Sequence, residues 1–178
     1  ETIGSAAFYD LRTLTEVKGL ENSKVTELGD SCFWYCSALR QINTSKIKDF
    51  GASCFYSCKE LRLITLQDGA AIGDRAFIGC NNLDDYYLNI ENVSAVGDYA
   101  FLDCHIYRNK LVFNQVKRIG VSAFGFSAVG GVNVSTSDIS EIVIPSCTEY
   151  IGAHAFNISN LKNIEVAKDN PNYVSIDG

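Results

Sequence analysis

Methionine is absent from this chain of 178 residues, tryptophan occurs once and histidine twice. With only His105 and His154 available, a Cys–His nucleophilic pair has few ways to form, because the two side chains must face each other. Cys104 and His105 are sequence neighbours and point in different directions, and His154 sits in a variable slot before Ala155-Phe156. No nucleophile motif, phosphate-binding loop or pair of carboxylates in register is present, so the sequence does not read as an enzyme and implies no cofactor. No basic run occurs and the net charge is −6, which argues against nucleic acid and anionic membrane surfaces. No signal peptide is visible and the chain starts at Glu1, as expected of a mature or trimmed product. The longest uncharged run, Ile119 to Ser137, has 19 residues, long enough on paper to cross a bilayer. Four of them are Gly and six are Ser, Thr or Asn, and the run carries a motif repeated elsewhere, so membrane insertion is not expected.

What the chain has is a folding composition, 47% apolar and 20% charged, and one phrase repeated seven times. The phrase is Ile-Gly-x-x-Ala-Phe-x-x-Cys-x-x-Leu. It begins at Ile3-Gly4, Leu28-Gly29, Phe50-Gly51, Ile72-Gly73, Val96-Gly97, Ile119-Gly120 and Ile151-Gly152. Its Phe falls at 8, 33, 55, 77, 101, 124 and 156, giving steps of 25, 22, 22, 24, 23 and 32. A period in the low twenties predicts a solenoid, since one such unit cannot bury its apolar side without stacked neighbours.

Within a unit two periodicities alternate. Leu61-Arg62-Leu63-Ile64-Thr65-Leu66 and Ile139-Ser140-Glu141-Ile142-Val143-Ile144 end in inward–outward alternation, the strand signature. Phe, Cys and Leu recur three apart, the spacing of one face of a helical or 3-10 turn. The fold expected is an α/β repeat: one short strand per unit in a parallel sheet, a corner at the Gly, and a return through a short helical turn.

The seven phrases, together with Ile142-Val143-Ile144-Pro145 and Asn170-Pro171-Asn172-Tyr173…Ser175-Ile176-Asp177-Gly178, resemble the leucine-rich repeats of the bacterial surface-antigen (BspA-like) type. The resemblance implies a right-handed leucine-rich-repeat solenoid over residues 1–178, as a single domain of about seven repeats. It also implies a secreted or cell-surface location and a role in adhesion or protein contact. The chain begins within a unit and stops where another would start, and neither end reads as a polar cap. A fragment of a longer array, or end-to-end self-association, is therefore expected. Phe124 to Phe156 is long by about nine residues, and residues 130–138 should protrude as a loop. In the fifth copy, Cys104-His105-Ile106-Tyr107-Arg108 lacks the Leu and should shift by one residue.

Cys32, Cys36, Cys54 and Cys58 have a spacing that could converge on zinc. Cys80 and Cys104 continue the same column singly, so buried structural thiols explain more, and no metal site is assigned. Asp68, Asp84 and Asp85 suggest calcium, but adjacent acids on a strand point to opposite faces. The outward strand residues form the expected working surface: Gln41, Asn43, Leu63, Thr65, Asp85, Tyr87, Lys110, Val112, Glu141, Val143, Asn163 and Glu165. Leu63, Tyr87, Val112 and Val143 would be apolar anchors in a polar field, suited to a protein or glycan partner, such as a host surface. The alternative is a structural spacer that holds other domains off a cell surface. A second stripe, Tyr9, Trp34, Tyr56, Ile78 and Leu102, is expected to pack over the convex side; exposed Trp34 and Tyr56 would mark a contact site instead. Sequons occur at Asn43, Asn92, Asn133 and Asn157.

Overall fold

The computed structural model describes residues 1–83, 88–126 and 138–175. In chain order its strands are β1 (Thr2–Ile3), β2 (Glu16–Val17), β3 (Glu27–Leu28), β4 (Gln41–Ile42), β5 (Asp49–Phe50), β6 (Leu63–Ile64) and β7 (Ala71–Ile72). They continue as β8 (Ala95–Val96), β9 (Lys110–Val112), β10 (Arg118–Ile119), β11 (Glu141–Ile144), β12 (Tyr150–Ile151) and β13 (Asn163–Val166). Every pairing is parallel, as stacked coils of one hand of travel require. β1, β3, β5, β7, β8, β10 and β12 form one seven-stranded sheet. β2, β4 and β6 form a second sheet, and β9, β11 and β13 a third.

Among the described residues, the coils that start at β1, β3, β5, β8, β10 and β12 therefore carry two strand ladders where the sequence predicts one. The second and third sheets are the expected strands after the repeated Leu. The seven-stranded sheet is made from the apolar residue that opens the phrase and the residue before it, which the spacing assigned to a corner.

The return arm also differs from expectation, because it is built from overlapping turns. In the second coil, Cys32, Trp34 and Cys36 N–H donate to the carbonyls of Gly29, Ser31 and Phe33, three residues back. The alternate N–H groups of Ser31, Phe33 and Tyr35 donate to Ala52, Cys54 and Tyr56 in the next coil, at 2.7–2.8 Å. Ser31 and Tyr35 take left-handed backbone angles, φ 55° and 57°, which no right-handed helix can include. Left-handed residues recur at Ser53, Ser57, Arg75, Gly79, Tyr99 and Asp103. Each non-glycine one costs about 1–2 kcal/mol, offset by the complete pairing of the arm's N–H groups. Among the described residues, 3-10 helix occurs at Leu20–Asn22 and Ile90–Asn92, between the two strand arms of a coil.

The core is a set of columns. Consecutive repeated Phe rings stack from Phe8 to Phe156 with centroids 4.9–6.0 Å apart. Phe33, Phe55 and Phe77 have no exposed surface. The long sixth interval leaves the column intact, with Phe124 and Phe156 at 6.0 Å; residues 130–137 of that expected loop lie outside the described residues. In the fifth coil Cys104 keeps its column, Ile106 is buried, and Tyr107 is 57% exposed, the one-residue shift the sequence predicts. The glycines hold the coils together by close approach. A Cβ on Gly97 would lie 2.6 Å from the Asp74 nitrogen and the Gly73 carbonyl carbon, and no rotamer relieves a clash with backbone. At Gly4, in the first coil, a Cβ would meet nothing within 4 Å.

Candidate functional site

Alternation in the short strands sends Ile42 and Ile64 into the core and leaves Gln41 and Leu63 outside. Parallel register then aligns Glu16, Gln41 and Leu63 in one row across β2, β4 and β6. Gln41, Asn43, Leu63 and Thr65 come together here with Glu16, Lys18 and Glu21 around an open groove of about 610 Å³. Leu63 is 41% exposed, an apolar anchor among polar neighbours. Three of those neighbours are linked to one another. Gln41 Nε2 donates to Glu16 Oε1 at 2.5 Å, and Lys18 Nζ lies 3.0 Å from Glu16 Oε2. The Lys18 ammonium, with the Gln41 amide, holds the Glu16 carboxyl below its ordinary range against partial desolvation. Beneath the groove, buried Thr44 donates its hydroxyl to the Thr65 carbonyl at 2.7 Å, tying two coils. Asn43 Oδ1 accepts from the Ser45 N–H at 3.1 Å.

Lys110, Val112, Glu141, Val143, Asn163 and Glu165 form a second group on β9, β11 and β13. Register aligns Lys110, Glu141 and Asn163 in one row, and Val112, Val143 and Glu165 in another. Lys110 Nζ pairs with Glu141 Oε2 at 3.1 Å, while Asn163 Oδ1 is buried without a hydrogen-bond partner. Val112 and Val143 are half-buried. Asp85 and Tyr87 lie outside the described residues. Glu16, Lys18 and Glu21 escaped the sequence reading. Their signal is Leu14-Thr15-Glu16-Val17, the same Leu-x-x-Ile pattern in a unit without a full preceding copy.

Six of the seven cysteines are core, and Cys147 is half-buried. Cys36, Cys58, Cys80 and Cys104 donate Sγ–H to the Phe8, Phe33, Phe55 and Phe77 carbonyls at 2.9–3.1 Å. Burial raises these thiols, and pushes Cys32 up to about 12. Zinc ligation needs thiolates, and these groups hold their protons against carbonyl oxygens. Among the described residues, no three His, Cys, Asp or Glu are grouped to hold a metal ion. Asp68 Oδ1 accepts from Asn89 Nδ2 at 2.8 Å; Asp84 lies outside the described residues. His105 Nδ1 is 3.2 Å from the Tyr107 hydroxyl, and His154 is exposed in a left-handed turn position.

The second aromatic stripe packs on itself. Tyr9, Trp34 and Tyr56 stack at 4.5 and 5.8 Å, and Tyr35 joins them with Arg12 5.8 Å from its ring centre. Trp34 and Tyr56 are half-buried, and Tyr9 is exposed. Of the sequons, Asn43 and Asn157 are exposed and Asn92 donates to Asn89; Asn133 lies outside the described residues. No described helix is long and apolar enough to cross a membrane.

A search of curated proteins returns no match. Among solved structures, the chain is similar to a leucine rich cell surface protein from Faecalibacterium prausnitzii, at 19% identity and a TM-score of 0.47. That alignment covers 92% of this chain and 64% of the other. The sequence profile of the BspA type leucine rich repeat region matches residues 1–129 and 129–176, in six copies. With parallel ladders, a Phe column and a Gly column running through nearly its whole length, the chain belongs to the BspA-type leucine-rich-repeat family.

Proposed function

We propose that this chain is a binding module at a cell surface or outside the cell, and that a protein or glycan partner docks on the strand face. The observation that carries this reading is the groove over β2, β4 and β6, where half-exposed Leu63 stands inside a rim of Glu16, Lys18, Gln41, Asn43 and Thr65. An apolar anchor in a polar rim suits macromolecular contact. Lys110, Val112, Glu141, Val143, Asn163 and Glu165 extend the contact surface along the array, with Asp85 and Tyr87 between the two groups in sequence. The crossovers are right-handed, the hand that parallel connections adopt in about 98% of cases. Residues 1–178 act as one domain of about seven repeats.

A spacer role is the second reading, favoured by the unbroken Phe column from Phe8 to Phe156, which makes a stiff rod. The two are separated by measuring adhesion of wild-type protein and of Leu63→Arg and Val143→Arg variants to glycan arrays and immobilised cell-surface protein. Loss of a wild-type signal in either variant supports binding. Equal signals from all three proteins overturn it in favour of the spacer.

A further inference from the structure

The seven-stranded sheet presents a face that the strand-groove reading does not use. Its outward row, fixed by register, runs Thr2, Glu27, Asp49, Ala71, Ala95, Arg118 and Tyr150. Charge is divided along this row. Glu27 and Asp49 stand at one end, where a groove of about 300 Å³ is lined by acids, small residues, glycine backbone and the inward-facing Leu28, Phe50 and Ile72, with no basic side chain. The Asp49 carboxylate has no hydrogen bond or ion pair among the described residues. At the other end Arg118 lies over the Tyr150 ring, 4.4 Å from its centre, and gives one N–H to Asp98 Oδ1 at 2.9 Å. Four of its five donors remain for a second anion. Between the two ends Ala71 and Ala95 leave the face low.

We propose that this face docks an extended peptide segment of a partner protein, laid along the solenoid axis. The segment carries lysine or arginine over Glu27 and Asp49, small residues over Ala71 and Ala95, and an acidic residue at Arg118. Three strand spacings of about 4.8 Å separate Asp49 from Arg118, about 14 Å in all. An extended chain rising about 3.3 Å per residue covers that span in four steps, so three residues separate the partner's cation from its anion. The strand backbone is already paired within the sheet, so recognition rests on side-chain charge and its spacing. A uniformly basic or acidic partner would meet like charge at one end.

The test uses fluorescent, end-capped peptides titrated against the whole chain at low ionic strength. The probes are Lys-Lys-Ser-Ala-Ser-Asp, Lys-Lys-Asp without the spacer, and hexalysine. The spaced probe is expected to bind at least fivefold tighter than either control, and to lose at least fivefold in Asp49→Asn and in Arg118→Gln. Both are exposed substitutions, checked for an unchanged melting temperature. Leu63→Arg, which tests the strand groove, should leave peptide binding unchanged, so the two readings fail separately. Equal binding of spaced and unspaced probes, tighter binding of hexalysine, or full retention in either charge variant overturns the proposal.

Discussion

The turn arm and the strand arm of each coil have opposite tolerances. In the turn arm, Gly, Phe and Cys each face a fixed neighbour in the adjacent coil: a backbone at contact distance, a ring at about 5 Å and a carbonyl at about 3 Å. In the strand arm only the inward residue of each pair is held, as with Ile42 and Ile64. Its outward partner changes from Gln41 to Leu63 to Lys110 without disturbing the ladder. The difference teaches where information can reside. Positions that stacking fixes can carry no specificity, and positions that stacking ignores are free to acquire it.

The largest expected effect breaks the turn arm from inside. Cys54, Cys58, Cys80 and Cys104 are fully buried and their thiols are raised above the ordinary 9.0. A folded pKa above the unfolded one gives stability that is complete below pH 9 and lost as pH rises. Each such thiol should cost on the order of 1 kcal/mol per pH unit above 9, while the unfolded chain ionises and the folded one does not. Urea midpoints measured from pH 7 to 11 should stay level and then fall steeply, and replacing these four cysteines by Ala should flatten the fall. Next, Phe77→Ala should cost about 3–5 kcal/mol in urea unfolding. Phe8→Ala, on a half-buried ring in the first coil, should cost less. Gly97→Ala should cost about 3 kcal/mol by overpacking against backbone, while Gly4→Ala, with open space around it, should be neutral. The smallest effect on stability is in the strand arm. Leu63→Arg should shift unfolding by less than about 0.5 kcal/mol while removing partner binding. A large stability loss there would erase the contrast between the arms.

Legibility followed the same division. The Phe, Cys and Leu columns were readable because a stack repeats its buried positions at a fixed period. The strands after the repeated Leu were readable from alternation. The helical return was misread because Phe, Cys and Leu three apart fit both a helix and a run of overlapping turns. The separating signal is residue type at the left-handed positions. Gly79 and Asp103 suit such angles, but Ser31, Ser53, Ser57, Tyr35, Arg75 and Tyr99 in the same slots hide the pattern. The candidate groove was half readable. Gln41, Asn43, Leu63 and Thr65 follow from alternation, whereas Glu16, Lys18 and Glu21 join them only through register with a coil whose phrase is incomplete.

The sequence by itself determined that the chain stacks, how often, and which side chains fill the interior, because burial in a repeat leaves a periodic mark. Tertiary structure alone decided that the phrase's opening residues form a second sheet. It also decided that the return arm turns through left-handed residues, and that Asp49 and Arg118, 69 residues apart in sequence, share one outward row. Those facts depend on which N–H meets which carbonyl in the neighbouring coil, and such a pairing leaves no composition of its own along the chain.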